Sequence, residues 1–159
     1  IWYTFYMLQI KKKAPEFSLL DQDGVTHTLS QYRGKKVLIY FYPKDDTPGC
    51  TTEACNFRDN YKALSDAGLV VLGISKDTVK SHKKFADKFD LPFPLLADID
   101  TAVCQAYGAW RNKKFMGREY MGIERMSVLI DEEGKVAKIY EGVKPKEHTQ
   151  EVSVDIKMD

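Results

Sequence analysis

Two stretches of the chain are apolar or β-branched at nearly every position: Val37-Leu38-Ile39-Tyr40-Phe41-Tyr42 and Leu69-Val70-Val71-Leu72-Gly73-Ile74-Ser75. A strand with one face in water would alternate; runs without a polar face predict strands buried on both sides. Between them, from Thr51 onward, there is no Pro or Gly until Gly68, and Phe57, Tyr61 and Leu64 recur at spacings of four and three. That spacing predicts one amphipathic helix. Pro43 stops the first strand and Gly68 ends the helix. Strand, helix, strand in this order implies a parallel crossover.

The remaining pattern adds smaller elements. Phe17–Leu20 and Val25–Leu29 flank Asp21-Gln22-Asp23-Gly24, which predicts a hairpin with Gly24 at the left-handed turn position. Asp21-x-Asp23 is too short for a calcium loop. Lys76–Phe89 reads as a second helix, with Val79, Phe85 and Phe89 inward and Lys80, Lys83, Lys84 and Lys88 in water. Pro92 and Pro94 bracket an extended segment ending at Leu95-Leu96-Ala97, and a short helix from Thr101 to Tyr107 is closed by Gly108. The stretch 109–122 is polar and lacks a period, so it is expected to be a functional or mobile loop. Met126–Ile130 and Val136–Tyr140 flank Asp131-Glu132-Glu133-Gly134 as a second hairpin. In the tail, 147–159, Val152, Val154 and Ile156 alternate as a strand would, although a terminal helix would cover the sheet better. The expected architecture is α/β, a central mixed sheet with helices on both faces and an N-terminal hairpin, of the thioredoxin-like kind. A single domain is expected over 14–159, preceded by an extension over 1–13. Met7 is a candidate internal start, and residues 1–6 are read as extraneous to the fold.

Composition narrows the partners. With 159 residues, 43% of them hydrophobic, the chain can bury one core of its own. Lys and Arg number 24 against 23 Asp and Glu, a balance that gives no reason to expect nucleic acid or a membrane surface. The apolar start Ile1–Ile10 has no basic region before it and no cleavage site, and it is too short to span a bilayer. Three cysteines are an odd count without a tight framework, which fits a reducing compartment and catalytic use, and hence the cytosol.

Chemistry concentrates at Thr47-Pro48-Gly49-Cys50-Thr51-Thr52-Glu53-Ala54-Cys55. Cys50 falls in the first turn of the predicted helix, where free N–H groups and the positive end of the dipole favour a thiolate. Gly49 lets backbone approach a ligand, Pro48 fixes the turn and Thr47 offers a hydroxyl. The rival reading is zinc on Cys50 and Cys55, but Cys104, His27, His82 and His148 are isolated and supply no second ligand pair. The three histidines are expected on the surface or in satisfied polar contacts. A disulfide exchanger would want Cys-x-x-Cys, whereas four residues separate Cys50 from Cys55. Glu53 is expected to cap its own helix, with orientation of an arginine as the alternative.

Tyr42-Pro43-Lys44-Asp45-Asp46-Thr47-Pro48-Gly49-Cys50, followed by Cys55, resembles the active-site signature of the peroxiredoxin Q family, also called bacterioferritin comigratory protein. The likeness continues through Arg58-Asp59, Leu72–Ser75, Phe115-Met116-Gly117 and Gly122-Ile123-Glu124-Arg125, and stops before the tail. It implies a thiol peroxidase that reduces hydrogen peroxide and organic hydroperoxides. Cys50 would be the peroxidatic cysteine and Cys55 the resolving one, closing an intrachain disulfide. Pro43, Thr47 and Arg125 match the remaining active-site positions, so Thr47, Gly49, Cys50 and Arg125 would bind the peroxide and Glu53 would support them. Cys104 is read as a bystander. The resemblance further implies no metal or organic cofactor, thioredoxin or else glutaredoxin as reductant, and a monomer. Two readings from other classes stand beside it: a zinc-stabilised structural domain, and a non-catalytic binding or chaperone module on the same fold.

Overall fold

The structure is a computed structural model that describes residues 8–157. Its centre is β3 (Lys36–Phe41), the first of the two apolar runs, and β4 (Leu69–Ser75), the second, pairs with it in parallel from Lys36↔Leu69 to Phe41↔Ile74. Helix α1 (Pro48–Asp66) connects them, as the pattern predicts. The N-terminal hairpin is present as β1 (Ser18–Leu20) and β2 (Thr26–Thr28), with Gly24 at φ 74° in its turn. Helix α2 (Val79–Phe89) is followed by β5 (Leu95–Ala97) and α3 (Ala102–Ala106). The second hairpin is β8 (Met126–Ile130) and β9 (Val136–Tyr140). Among the described residues the strands form a seven-stranded mixed sheet in the order β2-β1-β5-β4-β3-β8-β9.

Both faces of this sheet are dry because β3 supplies side chains to each. Leu38, Tyr40 and Tyr42 point into a core shared with Phe57 and Leu64 of α1, Phe85 of α2 and Leu95. Val37, Ile39 and Phe41 point the other way, onto Phe17, Leu29, Cys104, Tyr107, Ile123 and Met126. An unbroken apolar run is therefore the signature of a layer sandwiched between two cores.

Two expectations need correction, and the open choice between strand and helix in the tail is decided for the helix. Helix α2 starts at Val79 and not at Lys76, because the Thr78 hydroxyl accepts the Ser81 N–H at 3.1 Å and so caps the helix there. The stretch 109–122 is not a loop: β6 (Trp110–Phe115) and β7 (Arg118–Ile123) pair as a two-stranded ribbon detached from the main sheet. Its two-residue turn, Met116 at φ 50° and Gly117 at φ 79°, has the double positive φ that twists a hairpin correctly. The tail is α4 (His148–Lys157), and the apparent strand alternation misleads: Val152 and Ile156 are buried four residues apart, whereas Val154 faces water. Helix α4 packs on α1, and His148 lies edge-on to Phe57 and Tyr140 with Nε2 2.7 Å from Ser127 Oγ. Ahead of the hairpin, Lys11 and Ala14 hydrogen-bond to Val136 and Gly134, which lays the segment before residue 15 along β9. Residues 1–6 and Met7 lie outside the described residues.

Gly73 marks how tightly the central layer is closed. A Cβ at this position would stand 2.9 Å from Leu95 Cδ2 and 3.0 Å from the Tyr40 ring and hydroxyl. Gly73→Ala should therefore destabilise the fold by roughly 1–3 kcal/mol through overpacking. Urea denaturation of the variant against wild type checks this; an unchanged midpoint would mean that Tyr40 has room to move.

Candidate active site

The end of β3 and the start of α1 are joined by a short loop, and every sequence-predicted site residue but Arg125 and Cys55 lies on it or in the first turns of the helix. Thr47 is the N-cap in extended conformation (φ −101°, ψ 155°), Pro48 takes the first helical position, and the first helical bond runs from Thr51 N–H to Thr47 O at 2.8 Å. The N–H groups ahead of that bond are left unused by the helix and face outward from its positive end. Thr47 Oγ1 does not cap the helix; it donates to Lys44 O at 2.9 Å. Pro43 and Thr47 are half-buried, and Cys50 is 2% exposed.

Arg125 arrives from the turn between β7 and β8. Its Nη2 donates to Cys50 Sγ at 3.3 Å and its Nη1 to Glu53 Oε1 at 2.8 Å. The two acceptors are three residues apart on α1 and so share one face. Gly49 makes the approach possible, since a Cβ there would come within 3.0 Å of Arg125 Nη2. Glu53 is 1% exposed and turned to the arginine, so the helix-capping expectation gives way to the orienting one. Burial pushes its carboxyl up to about 7, against the pull of Arg125. Burial also works against the charge on Arg125, but Glu53 and the Cys50 sulfur more than offset it and its pKa is raised. A fixed cation between a sulfur and a carboxylate can stabilise negative charge as it develops at that sulfur.

Cys55 lies on the same helix, half-buried, with its thiol free. Cys104 is on α3 in the opposite core, wholly buried, and burial followed by Asp98 pushes its thiol well above the ordinary range. The three histidines are all buried in polar contacts: His27 with Asp21 and Tyr32, His82 with Asp45 and Leu96 O, His148 with Ser127 and Glu151. Asp21 spends its carboxylate on His27 and on the N–H groups of Asp23 and Val25.

Two features near the site escape sequence reasoning. Tyr40 is buried, and its hydroxyl has no hydrogen-bond partner among the described residues; burial first, then the charges of Glu53 and Cys50, raise its pKa well above the usual value. As one more aromatic in an apolar strand it carries no signal. A groove of about 390 Å³ lies beside the Cys50 turn, lined by Pro48, Gly49, Thr52, Lys144, Pro145 and Lys146. Asn56 Nδ2 holds its far wall by donating to Pro145 O at 2.9 Å. Its two walls are some ninety residues apart in the chain, and no local pattern links them.

Residues 10–139 match the AhpC/TSA family. The peroxiredoxin Bcp of Bacillus subtilis is 45% identical over 150 residues, 94% of this chain and 96% of that protein. The peroxiredoxin Bcp of Escherichia coli K12 is 49% identical over 135 residues, 85% of this chain and 86% of that protein. Among solved structures, the bacterioferritin comigratory protein of Xanthomonas campestris, described for its alkyl peroxide reduction activity, superposes with a TM-score of 0.87 at 36% identity, covering 94% of this chain and 98% of that one.

The buried carboxyl makes stability depend on pH. Glu53 sits at about 7 when folded against an ordinary 4.5, so the folded chain holds this proton more tightly than the unfolded one. The resulting stabilisation is complete below the unfolded value and is lost as pH rises through the folded one. Glu53→Gln, neutral at every pH, should therefore lack the fall in urea midpoint that wild type shows across that window. Parallel pH profiles for the two proteins would show that Glu53 is ionised throughout.

Proposed function

The chain belongs to the AhpC/TSA family, among peroxiredoxins of the Q or Bcp type, and on that premise we propose that Cys50 is the peroxidatic thiol and Cys55 its resolving partner. The protein is a thiol peroxidase on a thioredoxin-like fold. The observation that carries the residue assignment is the Arg125 fork, one nitrogen 3.3 Å from Cys50 Sγ and the other on buried Glu53.

In the first step the Cys50 thiolate attacks one peroxide oxygen. The S–O bond forms, the O–O bond breaks, and RO⁻ leaves and takes up a proton, so that sulfur is oxidised to a sulfenic acid and the hydroperoxide reduced to an alcohol or water. Negative charge grows on both oxygens as they part. Arg125 and the free N–H groups of the helix start are donors fixed in advance for that charge, and the Thr47 hydroxyl, which can turn from Lys44 O, is a third. Pro43 shields the sulfur from bulk water. The Cys55 thiolate then attacks the Cys50 sulfur, expelling hydroxide that is protonated to water, and an external dithiol reduces the disulfide by exchange. Thioredoxin is the proposed donor, with glutaredoxin as the alternative, and the enzyme is taken to act as a monomer in the cytosol, one domain over 14–159. The odd number of cysteines supports a reducing compartment.

Resolution requires α1 to open. On a regular helix five residues give a rise of about 7.5 Å and a turn of about 140°, which sets the two Cα atoms roughly 8–9 Å apart. A disulfide needs less than about 7 Å with converging Cβ atoms. Both cysteines lie within α1, so the turns from Cys50 to Cys55 must unwind after the sulfenic acid forms.

Cys50→Ser should abolish peroxide consumption with the fold intact, because a hydroxyl cannot serve as this nucleophile near neutral pH. Turnover near wild type would sink the assignment, and peptide mapping that finds a dominant Cys50–Cys104 link would reassign the resolving role. Amide exchange over residues 47–60 should show lower protection in the disulfide form than in the reduced one. Equal protection in the two forms would contradict the unwinding step.

A further inference from the structure

The loop Pro43–Thr47 delivers the chain into the Cys50 turn, and a buried carboxylate fastens it from below. Asp45 is 7% exposed, and its carboxylate accepts the Tyr42 hydroxyl at 2.6 Å and the Ser81 hydroxyl at 2.8 Å and lies 2.7 Å from His82 Nδ1. The Asp45 N–H donates to Asp77 Oδ2 at 2.9 Å, and Ser75 Oγ donates to the same oxygen at 2.7 Å. The loop is thereby tied to the end of β4 and to the first turn of α2.

His82, fully buried, is held from both sides. Nε2 lies 3.0 Å from Leu96 O, a carbonyl that can only accept, so Nε2 carries a hydrogen. On the other side Nδ1 shares a hydrogen bond with Asp45 Oδ2 at 2.7 Å and stands 3.3 Å from the Tyr42 hydroxyl. The ring thus bridges the buried Asp45 carboxyl to the end of β5. Asp45, Asp77 and His82 lie close enough together to suggest a cation site, with ligand atoms within 4.8 Å of one another. The hydrogen bonds already made occupy those atoms. The next residue, Asp46, is held at φ 56°, a conformation that persists in a non-glycine residue only where its surroundings impose it.

We propose that the Asp45–His82 pair is a positioning device for peroxide reduction, clamping the loop so that Thr47 and the helix-start N–H groups meet the peroxide at the right place beside Arg125. Neither residue touches the reacting atoms. Their effect comes through the single residue, Asp46, that separates Asp45 from the Thr47 cap, and a misplacement of about 1 Å in such a site can cost about 10²-fold in rate. The proposal rests on Cys50 being the peroxidatic thiol, whose failure would show separately as turnover by Cys50→Ser.

The test compares two reactions of the same reduced thiol. Peroxide attack needs the oriented donors, whereas alkylation by iodoacetamide needs the thiolate but no aligned O–O bond. His82→Gln should slow the reaction of Cys50 with hydrogen peroxide roughly 10-fold or more while changing its alkylation rate by less than about 2-fold. Tyr42→Phe, which deletes one donor to the same carboxylate without stranding a charge, should shift the ratio of the two rates in the same direction by a smaller factor and covers the case in which His82→Gln does not fold. Peroxide and alkylation rates that fall by the same factor, or a peroxide rate that does not change in folded variants, would each overturn the proposal.

Discussion

Everything near Cys50 is arranged around one guanidinium. A partly buried cation is costly unless it is paired, and Arg125 places two of its nitrogens on acceptors along one helix face. The planar fork matters here: a lysine would offer a point charge to one acceptor at a time, whereas the guanidinium spans both and fixes their relative placement. Glu53 is buried against Arg125, and burial raises its pKa in spite of that pull. That imbalance suits the chemistry. A fully neutralised arginine would have little left for an oxygen leaving with negative charge, whereas one shared between a reluctant carboxylate and a sulfur retains it.

The same helix is asked to hold and to yield. Phe57 and Leu64 anchor α1 in the core beneath α4, and unwinding cannot proceed past them without exposing apolar surface. Ahead of them lie Pro48, Gly49, Thr51 and Thr52, which are poor or modest helix formers near a terminus, where opening is least costly. Cys55 sits at the boundary between the two regimes. The Asn56 bond to Pro145 O also falls there, so the loop leading into α4 bears on the stretch that has to move.

What could be read along the chain was whatever is governed by local periodicity over a buried length. β3, α1 and β4 were legible because an unbroken apolar run and a Pro- and Gly-free amphipathic span have few other solutions. The ribbon β6–β7 was not, since its outer part is exposed: Phe115, Met116, Tyr120 and Met121 face water, and with only Ile123 buried there is too little alternation to see. The tail stayed open between strand and helix for the opposite reason, as three apolar residues at even spacing satisfy a strand template while only Val152 and Ile156 are buried, at helical spacing. Within the site, the loop residues and Cys50 were legible from motif and helix start. The direction in which Glu53 turns, and the engagement of His82 with Asp45, depend on partners far along the chain, and residue type alone does not specify them.

Arg125 reaches Cys50 across 75 residues of sequence, and the sheet is what closes that distance. β8 runs antiparallel to β3 in the register Phe41↔Met126, so the residue just before β8 falls beside the point where β3 gives way to the Pro43 loop. Because side chains alternate with a period of two, a slip of one residue in this pairing would turn Val128 and Ile130 out of the Cys104 core and carry Arg125 off its mark in the same movement. The apolar contacts that make such a slip prohibitive are Ile39, Phe41, Val128 and Ile130, none of which approaches the peroxide site. The specificity of a hydrophobic layer is thus converted into the placement of one cation, and the chemistry is as well defined as the register.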